Sequence, residues 1–295
     1  MPSVYFDYAD LTDQARRRHI YEGSIFLTSP VPSVVALADF ARSMIEDAFT
    51  QSDPQRAQFD LPVEEFVKII APLKSGFTNH PHTKEFLRTV LTDFGCDLDR
   101  TYFDVPRLRI VTHGGYLTAG VGYAYRPHRD IWYSSPDTQV NWWSPIYRLA
   151  AEQALVFYPG YWANCVANSS NEFDYDEWCR IGRQQAASQI EVDTRKHPLA
   201  HKEISPKAEL RLVCDAAAAI SFSSAQLHAT APNTSGLTRF SFDFRTINLE
   251  DLQSGKGAPN PDSAAKGTTL GDFIRASDFS PITSEAINTG LLATK

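Results

Sequence analysis

The chain has 295 residues, with 28 Lys and Arg against 35 Asp and Glu, a formal net charge of −7, and 43% hydrophobic and 21% charged residues. That composition is ordinary for a globular protein with a sizeable core, and its acidic balance argues against a nucleic-acid or anionic-membrane surface, since both need clustered Lys and Arg. No stretch approaches the ~20 apolar residues of a membrane span, the N-terminus shows no apolar signal segment, and Cys96, Cys165, Cys179 and Cys214 share no CxxC spacing, so a reducing, cytoplasmic compartment is expected, with neither nucleic acid nor membrane as partner.

In chain order, residues 10–20 read as a polar helix whose Arg16-Arg17-Arg18 run is a solvated face. Residues 24–28 make a short extended run ending at Pro30. From Ser33, an expected N-cap, apolar residues recur at helical spacing through Phe49. Pro62 opens a further helix through Phe66, Ile69 and Ile70, and residues 83–94 form another with Phe86, Leu87, Val90 and Leu91 on its apolar face. From Tyr102 the texture changes to short β-rich runs separated by Gly, Pro, Ser or Asp: residues 108–112, 121–125, 138–143, 154–158, 209–214, 219–222, 227–230 and 238–247. Such runs, about eight of them, predict a sandwich or barrel. Residues 174–191 read as a helical insertion, and the Gly-, Ser-, Ala- and Pro-rich residues beyond 251 as a loop and weakly ordered extension. The expected organisation is one domain over 1–252, its first hundred residues helical and packed on the β-rich part, followed by an extension over 253–295.

The chemistry-bearing set begins with His128-Arg129-Asp130. Side chains at i and i+2 leave a strand on the same side, and Pro127 restricts the backbone before them, so His128 and Asp130 can converge on one ion. A third ligand would come from a distant strand, and His228 lies in the later β-rich block. Two imidazoles and one carboxylate leave three positions of an octahedral metal open, the facial arrangement of non-heme Fe(II) sites. An H-x-D alone is common by chance and reads as a surface loop. The ordered set, with Arg239 eleven positions after His228 and Ser241 two beyond it, favours the metal site. Among other histidines, His80 and His82 sit between helical patterns, His197 and His201 flank a polar, exposed stretch, His113 is at a strand-end turn and His19 is on a helix surface. Arg239 would line the cavity. Its guanidinium can bind a carboxylate bidentately, with Ser241 adding a hydrogen bond, as the distal carboxylate of 2-oxoglutarate requires; the alternative is a salt bridge in the barrel wall. Arg245, on the same face, would hold substrate or pair with a carboxylate.

Together PHRDIWYSSP, QVNWWSPIY, ALVFYPG and LHATAPNTSGLTRFSFDFR make roughly residues 108–248 resemble the Fe(II)/2-oxoglutarate-dependent dioxygenases, and within them the phytanoyl-CoA-hydroxylase-like branch. The resemblance implies a mainly β core with flanking helices, a double-stranded β-helix (cupin-like jelly-roll). It implies iron held by His128, Asp130 and His228, and 2-oxoglutarate bound by Arg239 and Ser241, with Asn141 of the Trp-bearing strand beside them. The activity implied is O2-dependent oxidation of an unactivated C–H bond in a small metabolite, with release of succinate and CO2. Pro159-Gly160-Tyr161-Trp162 and RLAAEQ depart from the family's Ser-His after Pro-Gly and from its acidic and Asn-Gly turn, and bear on substrate rather than chemistry. Asp130 argues against a halogenase. Two other readings stand beside this one. One is a cupin-like metal- or ligand-binding jelly-roll without oxygen chemistry. The other is a metal-dependent isomerase or hydrolase with an added ligand, for which His113 is the nearest candidate. An aromatic wall (Tyr123, Tyr125, Trp132, Tyr133, Trp142, Trp143) could frame a small organic substrate, although core packing is the commoner role of such rings; the breadth of the family it resembles implies a small metabolite such as an amino acid or natural-product intermediate. A homodimer is left open.

Overall fold

The structure, a computed structural model, describes residues 3–293 apart from 9, 123, 183, 184, 186–188, 190, 191, 207 and 208. The chain opens with β1 (Val4–Phe6), α1 (Asp13–Tyr21) and β2 (Ile25–Thr28). Thr12 caps α1 by accepting from the Ala15 N–H. The arginine run of α1 is not the solvated face expected. Arg16 is only 2% exposed, lies over the rings of Phe94 and Trp142 and donates to the Phe94 carbonyl. Arg17 pairs with Asp13 and Asp251, and only Arg18 is exposed.

Three helices follow: α2 (Pro32–Ala48), α3 (Val63–Asn79) and α4 (Pro81–Asp93). Their apolar stripes are those the spacing predicts, with Leu37, Ala41, Ile45, Phe66, Ile70, Phe77, Leu87 and Leu91 fully buried. Ser33 is not the cap of α2. Pro32 takes the first helical position, where a missing N–H costs nothing, Val31 precedes it without a side-chain cap bond, and Ser33 is buried within the first turn.

The β-rich part contains β3 (Thr101–Phe103), β4 (Arg107–Val111), β5 (Val140–Pro145), β6 (Leu155–Phe157), a short α5 (Tyr175–Glu177) continued by a π-turn over Trp178–Gly182, β7 (Leu210–Leu212), β8 (Ala219–Ser223), β9 (His228–Thr230) and β10 (Arg239–Asn248). It closes with α6 (Leu249–Gln253), β11 (Ile274–Arg275) and α7 (Ser284–Ala293). The larger sheet runs β1-β2-β8-β5-β10-β3-β11, with β4 also on β10; a smaller one runs β7-β6-β9. Apart from the parallel β1–β2 pair the ladders are antiparallel. The protein is therefore mixed helix and sheet around a large antiparallel sheet rather than mainly β. Among the described residues of 121–125 no strand forms: Gly120 has φ +71° and those residues are turn and irregular. Only α5 and the π-turn represent the expected helix over 174–191 among the described residues. No helix among the described residues is long and apolar enough to cross a membrane.

Strand β10 divides the interior. Phe240 and Phe242 pack against Phe49 and Phe77, which come from the C-cap of α2 and from α3. The alternate residues Arg239, Asp243 and Arg245 face a cavity.

The segment beyond 253, expected to be weakly ordered, is instead tied to the core. Asp262 accepts from Arg129 Nε at 3.1 Å, Trp132 Nε1 at 2.7 Å and the Val166 N–H at 2.9 Å, and the Ser263 hydroxyl donates to the Ile131 carbonyl at 2.6 Å. Arg129 is 0% exposed, so Asp262 is the counterion of a buried charge. Asp262→Ala should cost ~3–5 kcal/mol of stability, because it strands that charge, and Asp262→Asn should cost less. Urea denaturation measures both; a loss below ~1 kcal/mol for the alanine variant, the scale of an exposed pair, would remove Asp262 from this role.

Candidate metal centre

His128 and His228 are brought together by the backbone before any side chain acts. Each N–H donates to the other's carbonyl at 2.9 Å, making an antiparallel bridge between the segment before Asp130 and strand β9. The Asp130 N–H donates to the Ser224 carbonyl at 2.9 Å, and the chain then enters a 3-10 turn, Asp130–Tyr133, closed by Ser134 at φ +63°. Asp130 thus sits where the extended segment ends and turns back toward the two rings.

The ring centroids of His128 and His228 are 4.4 Å apart, and Asp130 Oδ1 lies 3.4 Å from His128 Nε2 and 4.0 Å from His228 Nε2. One ligand atom from each of the three residues lies within 4.8 Å of the others. Ligand bonds of ~2.1 Å at right angles place two donors ~3 Å apart, so these separations suit donors sharing an ion. Both tautomers are set locally. Nδ1 of His128 faces the Arg126 carbonyl at 2.8 Å and Nδ1 of His228 the Gln226 carbonyl at 3.0 Å. With Nδ1–H donating there, each Nε2 keeps its lone pair toward Asp130.

Protonation follows the same pattern. Burial pulls His228 down to about 4, helped by the charge of His128, so its imidazole is neutral near pH 7. For Asp130, burial raises the pKa, but the neighbouring His128 and the charge of Arg245 outweigh it and hold the carboxyl well below its ordinary range. A neutral imidazole and an ionised carboxylate are the forms a metal requires. Gln139 Nε2 donates to Asp130 Oδ2 at 3.3 Å and to Asn141 Oδ1 at 2.8 Å, while Arg245 Nε lies 3.8 Å from Asp130 Oδ2 and its Nη1 pairs with Asp104 at 2.9 Å. Arg245 is therefore committed to carboxylates.

The cluster lies in the wall of a cavity of about 510 Å³ that is also lined by Asn141 and Arg239. Arg239 is 3% exposed, donates through Nη1 to the Gln153 carbonyl at 3.0 Å and lies 5.5 Å from the Trp143 ring centroid. It is not the wall's salt bridge: among the described residues no carboxylate lies within 4.0 Å of it, and its Nε has no partner. Burial lowers its pKa to about 10. Ser241 is buried on the same strand with an unpartnered hydroxyl, but it does not line the cavity.

Other expectations divide. Tyr125, Tyr133, Trp142 and Trp143 line the cavity. Trp132 does not; it is buried against Asp262, and Tyr123 lies outside the described residues. His113 takes the Gly236 N–H on Nδ1 at 3.1 Å and does not line the cavity, and His80 caps α4. His201 is exposed, but His197 is not as expected. It lines the cavity beside Trp178, its Nε2 3.1 Å from Asp193 and its Nδ1 3.4 Å from the Tyr133 hydroxyl. The closely spaced Asp193, Arg195 and His197, whose side chains pair with one another, were the available signal. Thr230, two residues after His228, and Lys74 of α3 also line the cavity. Nothing in a helical pattern singles out Lys74.

No protein-family model matches the chain, and none of the curated proteins compared with it does. Similar solved structures include EvdO2 from Micromonospora carbonacea var. aurantiaca, 14% identical over 79% of this chain and 90% of that one, TM-score 0.46. They also include the non-heme monooxygenase ThoJ, 15% identical over 95% of this chain and 94% of that one, TM-score 0.45. A third is the epimerase SnoN in complex with Fe3+, alpha ketoglutarate and nogalamycin RO, 12% identical over 88% of this chain and 98% of that one, TM-score 0.42. At such scores the site's own geometry must carry any functional reading.

Proposed function

We propose that the protein is a non-heme Fe(II)- and 2-oxoglutarate-dependent oxygenase, similar to the phytanoyl-CoA-hydroxylase-like branch, with its two sheets forming a double-stranded β-helix around the cavity. One observation carries this reading: His128, His228 and Asp130 turn their ligand atoms toward one another in the wall of a cavity that also holds a buried arginine without a carboxylate among the described residues. Two nitrogens and one carboxylate oxygen fit a divalent iron and leave three positions open. The unpartnered Nε of Arg239, in the cavity wall, fits the distal carboxylate of an anionic co-substrate, whereas Ser241, off that wall, is left without this role. When iron, 2-oxoglutarate and O2 are bound, they supply the oxidation of a C–H bond in a small organic substrate, with release of succinate and CO2.

The chain's own residues bind, orient and exclude. The carbonyls of Arg126 and Gln226 fix the two imidazoles with Nε2 inward. Gln139 and Arg245 orient the Asp130 carboxylate, and the charge of Arg245 helps keep it ionised. Asn141, held by Gln139 and lining the same cavity, is a further co-substrate contact. Tyr125, Tyr133 and Trp143 keep water from the remaining volume. The isomerase reading needs a fourth ligand, and His113 is engaged by the Gly236 N–H instead.

The test is anaerobic reconstitution with Fe(II), then oxygen with excess 2-oxoglutarate, following O2 uptake and succinate. Slow turnover that needs both iron and 2-oxoglutarate and stops with a chelator is the expected result. Iron-loaded protein that neither binds 2-oxoglutarate nor forms succinate contradicts the proposal and leaves the metal-binding jelly-roll.

A further inference from the structure

The cavity contains more cations than carboxylates, and the pairing among them is uneven. Arg107 and Arg245 pair with Asp104, Arg109 with Asp243 and Arg195 with Asp193. Asp130 belongs to the metal cluster, and Asp272 accepts from the Tyr175 hydroxyl. Among the described residues two cavity-lining cations have no carboxylate within 4.0 Å: Arg239, already given to the co-substrate, and Lys74.

Lys74 reaches the cavity from α3, and its ammonium donates to the Val121 carbonyl. An ammonium carries three donors and accepts nothing, so the backbone contact leaves two N–H groups for a ligand. Burial, reinforced by the charges of Arg109 and Arg195 and only partly offset by Asp243, lowers its pKa to about 7. A charge kept there without a counterion is costly to the folded chain, and an anion that enters the cavity removes that cost. The rest of the wall describes the body such an anion would bring. The rings of Tyr125, Tyr133, Phe173 and Trp178 line the same space, which at about 510 Å³ has room for a small cyclic compound beside a five-carbon diacid. One positive charge is balanced by one carboxylate monoanion.

Resting on the oxygenase reading, we infer that Lys74 docks the carboxylate of the organic substrate, which is a cyclic or aromatic carboxylic acid held with its ring among the cavity's aromatic residues. Lys74 and Arg239 then divide the two acids between them, substrate at one and co-substrate at the other.

The test is calorimetric titration of the full chain, with redox-inert zinc in place of iron and 2-oxoglutarate saturating. The probes are benzoate, 3-phenylpropanoate and cyclohexanecarboxylate, each beside its primary amide. Wild type should take at least one acid ~10–100-fold more tightly than its amide, the scale of a charge-assisted contact. Lys74→Gln should bring acid and amide level, Lys74→Arg should keep part of the preference, and neither should change the affinity for 2-oxoglutarate. Circular dichroism and thermal midpoint establish that the variants fold. Equal affinity for acids and amides in wild type, no binding of any acid, or a preference that survives Lys74→Gln overturns the inference. So does a loss of 2-oxoglutarate affinity in Lys74→Gln, which would move the lysine to the co-substrate. In each case intact zinc and 2-oxoglutarate binding by wild type leaves the oxygenase reading standing; loss of that binding strikes the earlier reading instead.

Discussion

Replacing His228 by alanine should remove tight iron binding and succinate formation together, with turnover falling by ~10³-fold or more. Partners that merely orient a ligand are worth ~10–100-fold in metal affinity or activity, and loss of a ligand itself should exceed that. The fold should survive, because the bridge between His128 and His228 is made by backbone groups that alanine keeps. Some stability is lost with the ring's contacts to Phe157 and Phe222. Chelator-competition titration gives the iron affinity, and succinate quantification the turnover. A folded His228→Ala protein with wild-type iron affinity would show that the ion sits elsewhere.

Arg239→Met separates the co-substrate from the metal. Iron affinity should be unchanged, and the dissociation constant for 2-oxoglutarate should rise by ~10²–10⁴-fold. A hydrogen bond to a charged group is worth ~1.5–3 kcal/mol, two are lost, and each ~1.4 kcal/mol is tenfold. Lysine should not restore it, since a point charge lacks the planar fork. Without 2-oxoglutarate the methionine variant should be as stable as wild type or more so, because it deletes a buried cation that has no carboxylate partner among the described residues. Equilibrium binding and thermal unfolding measure the two effects. An unchanged affinity for 2-oxoglutarate would remove Arg239 from the co-substrate site.

How much of this could be read from the chain depended on whether the cause was local. The stripes of α2, α3 and α4 are period-3.6 patterns of apolar residues, and they fold as the spacing says. The convergence of His128, Asp130 and His228 was readable only as an ordered set, because the bridge that joins the segments lies far apart in sequence. The run over 121–125 has strand composition, yet its neighbouring Gly120 turns the chain. Burial of Arg16 depends on Phe94 and Trp142, and the role of Asp262 on Arg129 and Trp132, all remote partners. Small polar residues around Asp262 gave it the look of a tail. Lys74 and His197 matter only because their elements close over the same cavity, and no local pattern records that.

Anomalous diffraction at the iron edge, from an anaerobic crystal loaded with Fe(II) and 2-oxoglutarate, would locate the ion. A single peak bonded to Nε2 of His128, Nε2 of His228 and a carboxylate oxygen of Asp130, with the diacid reaching from it to Arg239, is the predicted result. A peak bound by other residues, or iron in place with 2-oxoglutarate turned away from Arg239, would contradict it.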